Sequence, residues 1–203
     1  MRVIAGKYRS RALTAPEGLE IRPTSDRLRE TMFNILAARM ELRGCRFADL
    51  YAGTGAVGIE AISRGATHCW FGEKAAPALK SLRGNLAKLG VSGTEFTVEE
   101  KGAGGLLGRF QKLGLAMDLV FIDPPYEAEG EYSQTLGALG RGNLLAAGGL
   151  VIVEFATKGK FKLAERYGAL VQTRVYKQGE TSLAFYGFPA VDDVADGGNA
   201  PPE

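Results

Sequence analysis

The stretch that decides the fold runs Arg46-Phe47-Ala48-Asp49-Leu50-Tyr51-Ala52-Gly53-Thr54-Gly55-Ala56-Val57-Gly58. A short apolar run ends in an acid, passes through a glycine-rich turn and enters a segment of helical spacing, which is the opening strand-loop-helix unit of an α/β sheet. The glycines let the chain turn sharply and let a ligand touch the backbone, while the helix behind the turn offers free N–H groups and a favourable dipole. Read literally, Gly53, Gly55 and Gly58 also match G-x-G-x-x-G, and Glu73 stands at the end of the next strand, where a dinucleotide site keeps its ribose-binding acid. Two features oppose a nicotinamide cofactor. Asp49 places a carboxylate at the strand's end, which suits a cationic or amine-bearing ligand better than a pyrophosphate. A hydride-transfer enzyme would also need a substrate domain, for which little chain remains. A purely structural use, with the glycines allowing close packing and Asp49 capping the helix, competes with both.

Working outward, apolar runs at Arg46 to Tyr51, Cys69 to Gly72, Glu95 to Val98, Leu119 to Ile122 and Leu150 to Val153 alternate with helical stretches near Val57 to Arg64, Ala75 to Leu89, Leu106 to Leu113 and Tyr132 to Leu145. Strands apolar throughout and separated by helices imply a parallel sheet covered on both faces, a doubly wound α/β architecture. Leu170 to Tyr176 and Ser182 to Phe188 flank Lys177-Gln178-Gly179-Glu180, a hairpin that adds antiparallel strands at the edge. The expected sheet is mostly parallel and seven-stranded. Ahead of it, residues 3–15 read as one or two strands of a basic β-hairpin, and Thr24 to Met40 as a helix with Leu28, Met32, Ile35 and Leu36 on one face, ended by Gly44. The organisation is thus a basic β extension over 1–23, a main domain over 24–188 that includes its leading helix 24–43, and a disordered tail over 189–203.

A second loop carries the more specific signal. Asp118-Leu119-Val120-Phe121-Ile122 runs into Asp123-Pro124-Pro125-Tyr126, at the carboxyl end of a buried strand, where ligand sites of open α/β sheets gather. An amino group conjugated to a nucleobase is a poor nucleophile, because its lone pair is delocalised into the ring. Acceptors aimed at its N–H bonds restore reactivity. Asp123 and the Pro124 carbonyl can accept those hydrogens, the paired prolines hold them rigid, and the Tyr126 ring can stack on the base. The bland alternative is a Pro-Pro turn with Asp123 as a local cap.

Composition bounds the rest. In 203 residues, 45% hydrophobic and 24% charged, no apolar run approaches a membrane span, and the arginine-studded N-terminus lacks the apolar centre of a secretory signal, so a cytoplasmic protein is expected. Cys45 and Cys69 have no zinc spacing and read as core residues, no metal is expected, and His68, the only histidine, reads as structural. The net charge of +2 conceals an asymmetry: residues 1–46 carry 10 Lys+Arg against 5 Asp+Glu, while 187–203 carry only acids. A basic quarter on a nearly neutral body suggests an appendage that binds a polyanion, against the alternative of ordinary solvated surface.

With these motifs in place, Asp49 to Gly55 followed by Asp123-Pro124-Pro125-Tyr126 resembles the Rossmann-like class I S-adenosylmethionine-dependent methyltransferases that act on exocyclic amines. Met1-Arg-Val-Ile-Ala-Gly-Lys-Tyr8, Arg22-Pro-Thr-Ser-Asp-Arg27, Arg29-Glu30 and Phe33-Asn34-Ile35-Leu36 further resemble the bacterial 16S ribosomal RNA guanine-N2 methyltransferase family of the guanine 966 type, as does the closing strand Gly179 to Tyr186. The resemblance implies that Asp49 faces the amino group of S-adenosyl-L-methionine, that Gly53 and Gly55 admit its backbone, and that Glu73 binds its ribose, with Tyr51 and Lys74 in the same cofactor set. It implies that Asp123, Pro124, Pro125 and Tyr126 clamp the guanine amine. It also implies that Arg2, Lys7, Arg9 and Arg11 grip 16S rRNA in an assembled or partly assembled small subunit, with Arg22, Arg27 and Arg29 bordering the pockets and a monomer as the working unit. Alternatives are an adenine-N6 DNA methyltransferase, for which there is little room for a target-recognition domain, and a non-catalytic RNA-binding assembly factor. Three places depart from the family pattern: Thr97-Val98-Glu99-Glu100 leaves the adenine contact unassigned, Ser10 replaces a commonly small or glycine residue, and Gly102 to Gly108 is unusually glycine-rich.

Overall fold

The computed structural model describes residues 1–16, 24–125, 128–158 and 161–189. The alternation of apolar runs and helical stretches becomes, after α1 (Asp26–Ala37), the series β1 (Arg46–Asp49), α2 (Ala56–Ser63), β2 (His68–Gly72), α3 (Ala76–Leu89), β3 (Phe96–Glu99), α4 (Gly102–Leu113), β4 (Met117–Ile122), α5 (Glu129–Leu139) and β5 (Leu145–Ala156). The closing strands are β6 (Arg166–Tyr167), β7 (Leu170–Gln178) and β8 (Thr181–Gly187). Among the described residues they form one eight-stranded sheet in the order β3-β2-β1-β4-β5-β8-β7-β6. The first five positions pair in parallel and the last three antiparallel. The strand beyond the expected seven is the two-residue edge strand β6.

Side chains alternate across the pleat and sort into two cores. Phe47, Phe121 and Ile152 face α1, α2 and α3, whereas Ala48, Val120, Ile122, Val151 and Val153 face α4 and α5. Leading helix α1 covers the sheet rather than standing apart. Ser25 caps it by accepting from the Leu28 N–H, and Leu28, Met32, Phe33 and Leu36 are buried, each contributing roughly 1.5 to 3 kcal/mol.

Boundaries differ from expectation for local reasons. Apolar spacing in α1 continues to Met40, but the helix closes at Ala37 as the Arg39 and Met40 N–H groups both turn back onto the Leu36 carbonyl. The last helix stops at Leu139, not Leu145, because Gly142 and Asn143 take positive φ and send Leu145 into β5. In contrast, α4 starts four residues earlier than expected: buried Ala103, Leu106, Leu107 and Phe110 override the low helical propensity of its glycines.

The expected N-terminal hairpin is corrected to a turn-rich arm closed by one bridge, Arg2 to Ala12. The Val3 and Leu13 N–H groups pair across the arm with the Arg11 and Met1 carbonyls, while those of Ile4, Ala5 and Tyr8 go to α2. The N–H groups of Ile4 and Ala5 donate to the Glu60 carboxylate at 2.7 and 3.0 Å, and the Tyr8 N–H donates to Ser63 Oγ at 2.9 Å. Ser10 holds φ of 65°, the left-handed region, at the position where the sequence departs from a common glycine. Glu60, fully buried, also accepts from Arg64 Nε at 2.7 Å and lies 3.9 Å from the buried Arg29 Nε.

Removing one member of such a network strands the other charges and donors. Glu60→Ala is expected to cost about 3 to 5 kcal/mol in urea unfolding. A loss below about 1 kcal/mol contradicts the view that Glu60 fastens the arm.

Candidate active site

Strand order reverses at β1: the chain leaves through α2 toward β2 on one side, and returns through α4 to β4 on the other. Such a switch point leaves a crevice beyond the carboxyl ends of the two central strands. Here it is a cleft of ≈ 1000 Å³ that takes Asp49, Gly53 and Thr54 from the first loop, Glu73 and Lys74 from the end of β2, and Asp123, Pro124 and Pro125 from the second loop. Asp49 is in register with Phe121, so the glycine turn and the Asp-Pro-Pro segment emerge side by side. Tyr126 and Arg22 lie outside the described residues.

The two aspartates are the electrostatic centre. Asp49 is 1% exposed; its Oδ2 accepts from the Gly58 N–H at 3.0 Å, while its Oδ1 is buried with no hydrogen-bond partner. Burial pushes this carboxyl up to about 7, against the Gly58 bond and with help from the charge of Glu73. Asp123 is also raised well above the usual carboxylate range, by burial first, then by Glu154 and Asp49. A lined cleft holding an unsatisfied carboxylate oxygen suits a ligand that brings its own N–H donors and positive charge.

The glycines divide their labour. Gly53 has φ of 54° and open space where a Cβ would stand, so it offers bare backbone to the cleft. Gly55, the left-handed N-cap of α2 at φ 81°, is glycine because a Cβ would strike the Leu82 side chain, and one at Gly58 would strike Phe71 and Cys69. Packing therefore accounts for Gly55. Glu73 braces the turn, accepting from Gly53 N–H at 2.8 Å through Oε2 and from the Lys74 and Ala75 N–H groups at 2.7 Å through Oε1. Lys74 pairs with Glu131 at 3.2 Å, and the Tyr51 hydroxyl bonds Thr135 at 2.9 Å.

Beyond the glycine turn, the cleft is walled by Lys101, Gly102, Gly104 and Gly108 from the start of α4, and by Gln134, Thr135 and Arg141 on the α5 side. These residues were missed in the sequence, although the unusual run Gly102 to Gly108 was their signal: small residues on a helix that a ligand must approach. Half-buried Glu99 pairs with Arg109 at 3.7 Å and exposed Glu100 with Arg83, and neither lines the cleft.

The basic residues separate into two groups. Arg2, Lys7, Arg9, Arg11 and Arg27 are exposed, with Arg2 near Asp26 at 3.8 Å and Lys7 near Glu95 at 3.5 Å. Arg29 is corrected: it is fully buried, and its guanidinium serves the Arg2 and Thr24 carbonyls, Asp26 and Glu60, so it cannot meet RNA. The arm touches the glycine turn, since Asn85 Nδ2 donates to the carbonyls of both Thr14 and Thr54 at 3.0 Å.

Residues 1–187 match a family described as conserved hypothetical protein 95. The Bacillus subtilis protein YlbH is 33% identical over 186 residues, 92% of this chain and 98% of its own. Ribosomal RNA small subunit methyltransferase D of Escherichia coli K12 is 36% identical over 154 residues, 76% of this chain and 74% of its own. The solved structure of Escherichia coli yhhF superposes with a TM-score of 0.75 at 31% identity, covering 92% of this chain and 96% of that one. The architecture is that of the class I methyltransferases.

The raised Asp49 carboxyl has a consequence for stability. Its folded value of about 7 exceeds its unfolded one, so the advantage it gives the fold below pH ~4 is lost as pH rises toward 7. Asp49→Asn, which keeps an acceptor for Gly58, is expected to stabilise the protein by about 1 to 3 kcal/mol at pH 8 and by little at pH 4. Equal effects at both pH values in urea melts contradict this.

Proposed function

The chain belongs to the conserved hypothetical protein 95 family, and from that premise we propose that it methylates 16S rRNA, moving a methyl group from S-adenosyl-L-methionine to the exocyclic N2 of a guanine, the guanine 966 type of target. The observation that carries this reading is the meeting of Asp49, with its unsatisfied buried oxygen, and Asp123 in one cleft. A purely structural pair of turns has no use for a fully buried carboxylate with an unpaired oxygen beside a second, half-buried one.

The residues present fit this donor. Asp49 Oδ1 takes the methionine amino group, Gly53 leaves room for backbone contact, and Glu73, with one acceptor position beyond its three N–H partners, takes a ribose hydroxyl. Tyr51 and Lys74 complete that side. When bound, the donor supplies a methyl group activated by a sulfonium centre. Asp123 and the Pro124 carbonyl accept the two N–H bonds of the amine, which turns the nitrogen lone pair toward its target, and Pro125 keeps that segment rigid. Tyr126 would supply a stacking face. A base held this way has left its helix or loop stack, at a cost of a few kcal/mol or less.

Exposed Arg2, Lys7, Arg9, Arg11 and Arg27 supply the phosphate contacts. The arm that carries the first four is anchored to Glu60 and to Asn85, which also holds the glycine turn, so RNA gripped by the arm is registered against the cleft. Small subunits, in which the target is displayed in a folded context, are the proposed substrate.

Two outcomes test the reading. Asp123→Ala should lower methyl transfer to small subunits from cells lacking this enzyme by roughly 100-fold or more, the usual weight of a positioned proton acceptor. Transfer within a few-fold of wild type contradicts the clamp. Replacing Arg9 and Arg11 by Gln should flatten the log-log salt dependence of RNA binding by roughly 1 to 2. An unchanged slope removes the arm from the interface.

A further inference from the structure

Glu154 interrupts the apolar run Val151-Ile152-Val153 of β5 and is 4% exposed, a position where a carboxylate is costly without a purpose. Parallel pairing aligns Phe121 with Ile152 and Ile122 with Val153, so one residue further on Asp123 stands beside Glu154. The pleat puts both on the face shared by Phe47, Phe121 and Ile152, the same face as Asp49. The three carboxylates therefore form a staggered row: Asp123, one residue past β4, stands beside Glu154 of β5, and Asp49, level with Phe121 at the end of β1, sits two residues lower on the same face. Glu154 is held at its far side: the Thr24 hydroxyl donates to Glu154 Oε2 at 2.6 Å, and the Tyr132 hydroxyl donates to its backbone carbonyl at 3.1 Å.

Building on the methyl-transfer reading above, we propose that Glu154 is a positioning residue for Asp123, its negative charge, fixed by Thr24, making the Asp123 carboxylate a stronger acceptor for the proton leaving the amine. Two adjacent carboxylates in a poorly hydrated site do not both hold charge easily, so the one with a dedicated hydrogen-bond donor keeps it and its neighbour gains proton affinity. Thr24 is that donor. The electrostatics of the site agree, with Glu154 the largest charge acting to raise Asp123 after burial itself. An acceptor whose proton affinity is raised in this way is a better base than an ordinary carboxylate.

The proton balance is complete. As nitrogen gains the methyl carbon, one N–H bond breaks, its electron pair stays on nitrogen, and the proton bonds to an Asp123 oxygen. The positive charge lost when sulfur becomes a neutral thioether leaves as this proton, released to water with the product. Among the described residues, the other charged or titratable groups facing the pair are Asp49 from β1, Tyr132 from α5 and Arg29 from α1, whose guanidinium reaches the Thr24 carbonyl at 3.4 Å. Leu183 of β8 stands opposite Glu154 and brings no charge.

The test is the pH dependence of single-turnover methyl transfer from labelled S-adenosyl-L-methionine to unmodified small subunits. Glu154→Gln keeps shape and the Thr24 partner but removes the charge. Its acidic limb is expected about one pH unit or more below wild type, with the plateau rate about 10-fold lower and KM for subunits within about 2-fold. Glu154→Asp should return the limb toward wild type, and Thr24→Val should shift it the same way as Gln, by less. Thr24→Val also serves if Glu154→Gln fails to fold. A loss of stability alone lowers the yield of active protein and leaves the limb in place. An active wild type whose limb coincides with those of Glu154→Gln and Thr24→Val overturns the positioning role alone. A wild type that transfers no methyl group overturns the functional reading on which it stands.

Discussion

Everything in this molecule answers to the expense of keeping carboxylates in a dry place. Asp49, Asp123 and Glu154 are carried there by strand pairing: each ends or interrupts an apolar strand, and pleat parity turns all three to one side of the sheet. Water would satisfy such groups cheaply, but Asp49 and Glu154 are 1% and 4% exposed, and Asp123 beside them is only partly open to it. A fold optimised only for stability would have apolar residues there, since buried charge is rarely stabilising. The expense is accounted for if cationic and N–H-bearing guests supply the missing donors, and the rest of the architecture can be understood as holding this row in place. Sheet order creates the crevice, Glu73 stiffens the turn in front of it, and Thr24 fixes the row's outer end.

A second buried acid has the opposite task. Glu60 accepts from two arm N–H groups and from Arg64, with the Arg29 guanidinium at ion-pair distance, and through it the basic arm becomes part of the α2 face instead of a loose appendage. The fate of Arg29 follows from the same network. Read along the chain, it is one of several arginines in a basic segment; in space, it closes the gap between α1, the arm and Glu60. The arginines that remain outside are the ones left for the proposed polyanion contact.

Legibility in the sequence varied with the range of the forces involved. The parallel sheet, the switch point and the two facing loops follow from local patterns, apolar runs ended by an acid and a turn, and all are present. The signal failed where neighbours distant in sequence decide. The arm has the alternation of a hairpin and pairs across itself at Val3 and Leu13, yet it spends the N–H groups of Ile4, Ala5 and Tyr8 on Glu60 and Ser63, more than 50 residues away. Glycines at the start of α4 disguised a helix that packing stabilises, and the same glycines line the cleft. Gly53 and Gly55 look equivalent in a motif, but only the packing of Leu82 shows that Gly55 answers to the core. Glu154 carried a readable signal, a charge inside an apolar strand, whose meaning depends on Asp123 being the neighbour in register.

Asp49 keeps an unpaired oxygen in the cleft it shares with Asp123, the place proposed for a cationic guest. Carbon-13 NMR of aspartate carboxyls, assigned with Asp49→Asn, reads this directly across a pH series with and without saturating S-adenosyl-L-methionine. The account predicts a free Asp49 that titrates near 7 and a midpoint that falls by about one unit or more once the ligand's amino group is bound. A free midpoint near 4, or one indifferent to the saturated ligand, contradicts it.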